Sequence, residues 1–354
     1  MANFTASKRR IGTGEPCFIV AEIGANHDGS IDRIKEMMRM AVDCGVDAVK
    51  LQLYTADELV ADPSRQILHG LPGQEVAEEI GALFDRLAVP RAACAELFDY
   101  AARLGVLAFV TPFSLDGAEH LRSLDAPLYK MASSDLCYFD LISKIAQTGK
   151  PLLLSTGKCT LAEVDRSVHH ARAQGLRQIG LLHCVAQYPA PAAEMRLGTI
   201  PVLQALYPDC VIGLSDHSIG IGAALGAVAL GAKIVEKHFT FDKAAPGPDH
   251  WFSADPQEMA LLVREIRTLE AALPGVRDGV LACELRERQT SVRSLVLKRD
   301  VPAGTAIAEN DLKIVRPGTG IDPTDKAKVI GLVVARDLPA QHVLSWDDFK
   351  PHRG

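Results

Sequence analysis

Two kinds of segment alternate along the chain, and each has its own pattern of apolar and polar positions. Short β-rich apolar runs are separated by longer segments of helical periodicity, and almost every run ends in one or two polar residues. The runs number eight: CFIVAEI, VDAVKLQ, VLAFVTPF, PLYKMASS, PLLLST, QIGLLHC, CVIGLSDH and AKIVEKH. Because strands that alternate with helices form parallel sheets, the pattern predicts an α/β protein built on a (β/α)8 TIM barrel.

The segments between the runs carry helix start and stop signals. Ser30 is a suitable cap for SIDRIKEMMRMAVDCG, which ends at Gly45. Thr160 and Glu163 have the spacing of a capping box at the start of the helix that follows them. The last barrel helix is predicted at about Pro256 to Leu273. The connection from Tyr54 to Pro90 is too long for a simple link and predicts an active-site loop.

The remainder of the chain changes character from about Gln289 and contains an internal repeat. RDVPAGTAIAENDLK at 299–313 recurs as RDLPAQHVLSWDDFK at 336–350, offset by 37 residues. A repeat this short predicts one small domain with two similar halves, too small for a large core of its own. We therefore expect a catalytic barrel domain at 1–273, a linker at 274–289 and a small domain at 290–354.

Composition and charge narrow the class of protein. The chain has 354 residues, 48% of them hydrophobic and 23% charged, with a formal net charge of −6, so we expect neither nucleic acid nor a membrane as partner. Ile219–Ala232 is the longest apolar stretch and is too short for a membrane span. The N-terminal residues lack the apolar segment of a signal peptide, and the eight cysteines include no CxxC pair. These features predict a cytoplasmic enzyme with reduced thiols.

Two histidines end neighbouring predicted strands. His217 and His238 follow the last two apolar runs, so both imidazoles converge on one rim of a barrel. Two histidines with a nearby carboxylate are suited to a catalytic divalent metal such as Mn, Fe or Zn, and the candidate carboxylates are Glu22, Glu236 and Asp249. The alternative is that one histidine is hydrogen-bonded in the core and the other contacts substrate.

Two lysines also end predicted strands, where they point into the barrel mouth. Lys50 and Lys130 share that mouth with four hydroxyl side chains: Thr111, Ser133, Ser155 and Ser215. Ammonium groups and hydroxyls around one cavity indicate a site for a small anion, of which phosphate is the commonest. Two alternatives stay open, namely a Schiff-base lysine and hydroxyls that only cap the next helix. The chain has no GxGxxG, Walker or GxSxG motif to support a nucleotide enzyme or a serine hydrolase.

Taken together in order and spacing, the motifs resemble those of the sialic acid synthase family, which includes N-acetylneuraminate, legionaminate and pseudaminate synthases and the spore-coat polysaccharide protein E group. The barrel motifs are AEIGANHDGS, AVKLQLY, TPF, YKMASSD, STGK, LLHCVAQYPAP, GLSDHSIG and EKHFT…PGPDH. RSLVLKRDVPAGTAIAENDLKIVRPGTGI is similar to the mostly-β antifreeze-like (SAF) domain that closes those chains. The resemblance spans nearly the whole chain.

The resemblance implies a condensing enzyme that joins phosphoenolpyruvate (PEP) to the open-chain aldehyde of an N-acetylhexosamine, using Mn or Mg. It implies His217 and His238 as metal ligands, and Glu22 and Asp249 as groups that orient the aldehyde and a water molecule. It implies Arg316 as a contact to the sugar in a partner subunit's barrel, and hence a domain-swapped homodimer. The implied substrate-binding residues are Lys50, Gln52, Thr111, Phe113, Lys130, Ser133, Asp135, Ser155, Tyr188, Ser215 and Glu236.

Three departures from the family pattern bear on the substrates. Ala186 stands where neuraminate synthases commonly have an Asn that touches PEP, and Asp135 replaces a usual Glu. The loop at 68–82 lacks the Asn and the Tyr-Glu pair expected for N-acetylmannosamine recognition. Two alternatives to an N-acetylhexosamine synthase therefore remain, the same chemistry on a different aldose and a non-catalytic sugar- or phosphate-binding relative.

Overall fold

The computed structural model of the chain describes residues 2–350, which divide between Pro274 and Gly275 into two compact units. The first unit is a closed barrel of eight parallel strands that pair in chain order, which confirms the predicted fold. The barrel strands are β3 (Phe18–Glu22), β4 (Ala48–Leu53), β7 (Leu107–Pro112), β8 (Tyr129–Met131), β9 (Leu152–Ser155), β10 (Ile179–Cys184), β11 (Val211–Asp216) and β12 (Ile234–His238).

Helices surround the barrel and begin at the predicted caps. The Ser30 hydroxyl accepts a hydrogen bond from Arg33 N, and Thr160 and Glu163 form the predicted capping box. The final helix ends at Ala272, one residue before the predicted end. The longer helices of this unit are α1 (Ile31–Asp43), α4 (Cys94–Leu104), α5 (Leu115–Ser123), α6 (Phe139–Ala146), α7 (Leu161–Ala173), α8 (Thr199–Leu206), α9 (Gly222–Ala229) and α10 (Pro256–Ala272).

The barrel interior changes from apolar to polar along the strand direction. A buried apolar cluster fills the amino-terminal end: Phe18, Val20, Ala48, Phe109, Leu128, Leu153, Leu182, Val211 and Ile234, together with Phe4, Ala6 and Ile11. Side chains on a strand alternate between its two faces, so the residue two positions further along also points inward. Val20 is thus followed by Glu22, Ala48 by Lys50, and so on around the barrel. The polar layer therefore lies directly above the apolar one.

An N-terminal hairpin that the sequence pattern did not reveal closes the apolar end. Strands β1 (Asn3–Ala6) and β2 (Arg9–Gly12) pair antiparallel. Phe4 and Ile11 of this hairpin belong to the apolar cluster inside the barrel and are almost fully buried. The amino-terminal end of the barrel is therefore closed.

The long connection between Tyr54 and Pro90 has structure of its own. It contains α2 (Ala56–Leu59), strands β5 (Gln66–His69) and β6 (Val76–Glu79) in a hairpin, and α3 (Ile80–Leu87). Ile67 packs on a small apolar cluster with Ala25, Leu83 and Leu87. Leu68, on the opposite face of the hairpin, is 74% exposed. The prediction that this connection serves the active site stays a prediction.

The second unit has short strands and bridges around a small core. Strands β13 (Ser294–Leu297) and β14 (Leu312–Val315) pair antiparallel, and short helices lie at α11 (Leu285–Ser291) and α12 (Lys326–Val329). The core is apolar: Leu295, Leu297, Val301, Ile307, Leu312, Ile321, Val329, Val334, Leu338, Leu344 and Phe349.

The internal repeat gives this unit an approximate twofold symmetry. Val301 and Leu338 occupy equivalent positions of the two halves and pair with each other, by two backbone hydrogen bonds of 2.8 and 3.0 Å. The carboxylate of Asp300 accepts from Ala340 N at 2.7 Å, and the carboxylate of Asp337 accepts from Ala303 N at 2.7 Å. Each half therefore satisfies a backbone donor of the other half.

Two further features bear on the predicted class of protein. All eight cysteines lie in the described part of the chain, and all are free thiols. Among residues 2–350, none of the helices combines the length and the apolar character that crossing a bilayer requires.

Candidate active site

A small polar cavity of about 60 Å³ lies at the carboxyl ends of the barrel strands. Nearly all the side chains that the sequence assigned to a site meet there. The cavity is lined by Glu22, Lys50, Gln52, Thr111, Phe113, Lys130, Ala132, Ser133, Ser155, Cys184, Tyr188, Ser215, His217, Glu236 and His238. The fold thus brings into one place residues that the chain spreads over more than 200 positions.

Lys50 lines this cavity and is only 3% exposed. Its Nζ donates to Thr111 Oγ1 at 3.1 Å and lies 2.9 Å from Glu22 Oε2 and 3.7 Å from Glu236 Oε1. Burial acts to lower the pKa of Lys50, but the two carboxylates outweigh it and the pKa is raised. The two carboxylates therefore favour the charged ammonium form of Lys50.

Lys130 supplies a second buried ammonium group, 2% exposed. Its Nζ donates to Ser155 Oγ at 2.6 Å and to the Met131 carbonyl at 3.1 Å, and lies 3.8 Å from Glu236 Oε1. Burial lowers the pKa of Lys130, although Glu236 opposes the shift. Hydroxyl, carbonyl and carboxylate oxygens on three strands thus surround this ammonium group.

Two carboxylates face the lysines. Glu22 Oε1 accepts from Gln52 Nε2 at 2.7 Å, and burial raises the pKa of Glu22 against the effect of Lys50. Glu236 Oε1 accepts from Ser215 Oγ at 3.1 Å. Burial acts to raise the pKa of Glu236, but Lys130 and Lys50 together lower it. Two lysines and two glutamates give the cluster a formal charge near zero.

His217 and His238 face each other across the rim, with ring centroids 5.3 Å apart. The Nδ1 of His217 is 3.0 Å from the Val185 carbonyl, so it carries the proton and leaves Nε2 as the basic nitrogen. Burial lowers the pKa of both rings, and His217 also lowers the pKa of His238. Both imidazoles are therefore neutral, which is the state that binds metals.

The buried polar atoms around the two histidines are suited to bind a divalent metal. Within residues 2–350, His238 Nδ1 and Glu236 Oε2 are buried and have no hydrogen-bond partner, which leaves both atoms available as ligands. No three His, Cys, Asp or Glu side chains of the described residues are grouped closely enough to make a complete metal site. A metal held by the two histidines would thus keep positions open for oxygen atoms of substrate or solvent.

Asp249 does not line the cavity but lies beside it. Its Oδ2 is 3.5 Å from His238 Nδ1, and its side chain is 22% exposed. Burial, together with Glu22, raises the pKa of Asp249 to about 7. The structure thus places Asp249 against one of the two histidines.

Aromatic side chains cover the histidines. The Tyr188 ring lies 4.2 Å from the His217 ring, centroid to centroid, and is 44% exposed. Phe252 contacts both Tyr188 and His238 at centroid distances of 5.5 and 5.4 Å. These rings exclude water from one side of the histidine pair.

Besides Asp249, two predicted site residues lie outside the cavity lining, and two lining residues, Ala132 and Cys184, were not predicted. Asp135 is half-buried outside the cavity lining, where burial raises its pKa to about 6 against the effect of Lys130. Arg316 belongs to the second unit and is exposed. Cys184 lines the cavity, with its Sγ 3.8 Å from His217 Nδ1. The signal for Cys184 was its place at the end of QIGLLHC, two residues after the inward Leu182.

Comparisons with known proteins identify the family of this chain. The model of the NeuB family matches residues 37–278, which is more than half of the chain. The chain belongs to the NeuB family. The model of the SAF domain matches residues 292–350, in agreement with the predicted C-terminal domain.

The relatives of this NeuB-family chain match it along nearly its whole length. The spore coat polysaccharide biosynthesis protein SpsE of Bacillus subtilis is 34% identical, over 98% of this chain and 97% of that protein. The N,N'-diacetyllegionaminic acid synthase of Legionella pneumophila is 33% identical, over 95% of each chain. The crystal structure of the N-acetylneuraminic acid synthetase of Leptospira borgpetersenii, in complex with citrate, superimposes with a TM-score of 0.72 at 30% identity, over 80% of this chain and 94% of that one. These relationships support an enzyme of the sialic acid synthase type.

Proposed function

We propose that this chain is a PEP-dependent synthase that makes a nonulosonic, sialic-type acid from an amino-sugar aldehyde. In the proposed reaction, C3 of PEP forms a bond to the aldehyde carbon, whose oxygen takes up a proton. Water then adds at C2 of the former PEP, and the bond between C2 and the phosphate oxygen breaks. C2 becomes a ketone and inorganic phosphate is released. The reaction class is that of a transferase.

The observation that carries this proposal is the pair of buried ammonium groups among hydroxyls at the barrel mouth. Lys50 and Lys130 contact Thr111 and Ser155 and converge on the same oxygen of Glu236. Charged donors in a cavity that excludes water bind anionic oxygens strongly. We assign PEP to these groups, with Gln52, Phe113, Ser133, Asp135, Ser215 and Tyr188 around it.

Charge balance supports a divalent metal, Mn or Mg, as part of the proposal. Glu22 and Glu236 already neutralise the two lysines, so PEP brings uncompensated negative charge into a buried site. His217 and His238 would hold the metal, which polarises the aldehyde carbonyl as a Lewis acid when bound. Glu22 and Asp249 orient the aldehyde and the attacking water and hold the protons that these exchange.

The second unit supports a homodimer with exchanged domains, which we propose as the functional assembly. Arg316 is exposed, and within residues 2–350 no carboxylate lies within salt-bridge distance of it. Its loop is fixed by hydrogen bonds from Ser294 Oγ to Pro317 O at 2.7 Å and from Gly318 N to Gln289 O at 2.8 Å. A fixed loop that presents an unpaired guanidinium is suited to contact a sugar in the barrel of a partner subunit.

The eight free thiols fit a reducing compartment, and we propose the cytoplasm.

The test is phosphate release from PEP with Mn or Mg, measured with N-acetylmannosamine, 2,4-diacetamido sugars and plain hexoses. We expect release to require both PEP and one class of aldehyde, which identifies the acceptor. Activity on a plain hexose alone would favour the alternative of a different aldose. PEP binding with no turnover on any aldehyde would favour the non-catalytic alternative.

Three variants test the assigned roles. Lys130→Met should weaken PEP binding roughly 10- to 100-fold, because charge-assisted hydrogen bonds contribute about 1.5–3 kcal/mol each. Lys150→Met is the matched control, because Lys150 is partly exposed and pairs with Asp125 away from the cavity.

His238→Ala should abolish turnover with the fold intact, and undiminished turnover would contradict the metal assignment. Borohydride should trap no adduct of pyruvate on Lys130, since an adduct would indicate Schiff-base chemistry.

A further inference from the structure

The segment that carries Asp249 is a loop of irregular structure at residues 241–249, which is separated from the end of β12 by two residues and is followed by a short 3-10 helix (His250–Phe252). It contains the sequence Ala244-Ala245-Pro246-Gly247-Pro248, whose small and cyclic side chains offer few packing contacts. Asp249 Oδ2 nevertheless lies 3.5 Å from His238 Nδ1. A contact of this kind needs support from outside the loop, because an unsupported loop of this length samples many conformations.

Asn26 gives the first support and lies in the loop after β3. Its Nδ2 donates to the Phe239 carbonyl and to Ser253 Oγ, at 2.9 Å each. Ser253 Oγ in turn donates to the Asp249 carbonyl at 2.6 Å. Asn26 is fully buried and Ser253 is 1% exposed, so water does not compete for these bonds. The Asn26 amide, through Ser253, thus joins the backbone of Phe239 to the backbone of Asp249.

His250 gives the second support. Its Nε2 lies 3.2 Å from Asp28 Oδ1, and its Nδ1 lies 2.6 Å from Thr240 Oγ1. A carboxylate accepts hydrogen bonds only, so Nε2 donates to Asp28, while the Thr240 hydroxyl donates to the Asp242 carbonyl at 3.0 Å. The ring is fully buried, and a Cβ on Gly247 would lie 2.7 Å from its Cδ2. The loop therefore packs closely on the ring that follows Asp249.

We propose that Asn26, Ser253 and His250 are positioning residues, which hold the 241–249 loop so that the Asp249 carboxylate stays beside His238. None of these three described residues lines the cavity, so each acts through Asp249. The inference rests on the proposed function, in which Asp249 orients the acceptor aldehyde. Loss of this support should therefore impair the handling of the aldehyde and spare the binding of PEP.

The expected effect separates the two substrates. PEP is assigned to Lys50 and Lys130, whose contacts lie on other strands and do not involve the loop. Ser253→Ala removes the hydrogen bond to Asp249 with the smallest change of volume. Because small displacements of an orienting group are costly, we expect kcat/KM for the aldehyde to fall about 10-fold. The KM for PEP should stay within about twofold of its original value.

A matched control distinguishes positioning from general stability. Ser167 is also fully buried, and its Oγ donates to Leu136 O at 2.7 Å, but it lies on α7 away from the loop. Ser167→Ala therefore makes the same chemical change and should leave both kinetic parameters unaltered. In an Asp249→Ala background, Ser253→Ala should have no further effect on the aldehyde, since the group it positions is gone.

Substitutions of Asp28 test the His250 support. Asp28 has a φ of +51°, which Asn and Gly tolerate, and both replacements remove the charge that faces Arg33. Asp28→Asn keeps an oxygen that accepts from His250 Nε2, and Asp28→Gly does not. We expect Asp28→Asn to retain most of the aldehyde kcat/KM and Asp28→Gly to lose it about as Ser253→Ala does.

Hydrogen exchange of the resting full-length protein supplies a readout independent of turnover. Ser253→Ala should speed amide exchange in residues 241–249, and Ser167→Ala should not. Unchanged exchange in the loop, equal losses for both substrates, or additivity with Asp249→Ala would each overturn the proposal. If no aldehyde gives turnover even in the unmodified protein, the proposed function fails. In that case hydrogen exchange alone still tests the positioning role. Faster exchange confined to the loop would support the role, and unchanged exchange would overturn it.

Discussion

The ion pair between Lys237 and Asp216 gives the sharpest prediction about stability. Both residues are at most 2% exposed and belong to β12 and β11, next to the two histidines. Lys237 Nζ lies 2.8 Å from Asp216 Oδ2 and donates to the Ser218 carbonyl at 2.7 Å. Asp216 Oδ1 accepts from Ser218 N and Oγ, at 2.8 and 2.7 Å. Lys237→Met would keep most of the volume and leave the carboxylate without its cation.

The expected cost follows from this burial. Removing one partner of a buried pair costs about 3–5 kcal/mol, because the other charge remains without compensation. In a unit of this size that corresponds to a fall in Tm of roughly 10 °C. Adding Asp216→Asn should restore most of the loss, because the amide oxygen still accepts from Ser218 and no buried charge remains.

The assay is thermal unfolding of the three proteins, followed by circular dichroism. Lys243→Met is the matched control, because Lys243 forms a 2.8 Å pair with Glu258 in which both side chains are 31% exposed. It should cost less than about 1 kcal/mol. A cost below about 1 kcal/mol for Lys237→Met, or a double variant as unstable as the single one, would refute the reasoning.

Three further predictions concern other parts of the chain. The pKa of Asp135 is raised to about 6 by burial, so its ionisation destabilises the native state as pH rises from about 4 to 6. Asp135→Asn should stabilise the protein by about 1–2 kcal/mol above pH 6, after discounting for partial exposure, and should have no effect below about pH 4, as urea unfolding at several pH values would show. Phe4→Ala should cost about 3–5 kcal/mol in thermal unfolding, since it leaves a cavity inside the closed end of the barrel, and the KM for PEP should not change. Asp348→Asn should destabilise the second unit more than Asp311→Asn does, because both carboxylates accept from an arginine but Asp348 also accepts from His342. We expect a difference of about 1–2 kcal/mol in the free energy of unfolding of that unit, measured by hydrogen exchange.

The sequence predicted the barrel and most of its cavity because both depend on periodicity. An inward apolar residue such as Val20 or Ala48 fixes the direction of the residue two positions on, so Glu22 and Lys50 had to enter the same space. Cys184 obeys the same rule, but an apolar context makes a cysteine look like a core residue.

The features that escaped prediction depend on long-range packing. The β1–β2 hairpin offers only Phe4, Ala6 and Ile11 as apolar positions among polar ones, too few for a periodic signal, and its burial requires the finished barrel. The hydrogen bonds of Asn26 reach residues more than 200 positions away. A local pattern carries no information about such partners, so the loop support could be found only in the structure.

The reciprocal contacts in the second unit have a consequence for its origin. Asp300 and Asp337 each satisfy a backbone amide of the opposite half, and Val301 pairs with its own equivalent, Leu338. Before any duplication, the same contacts would have joined two copies of one short peptide around a true twofold axis. The unit is thus best understood as a homodimer fused into a single chain, whose separated halves should recognise each other when mixed.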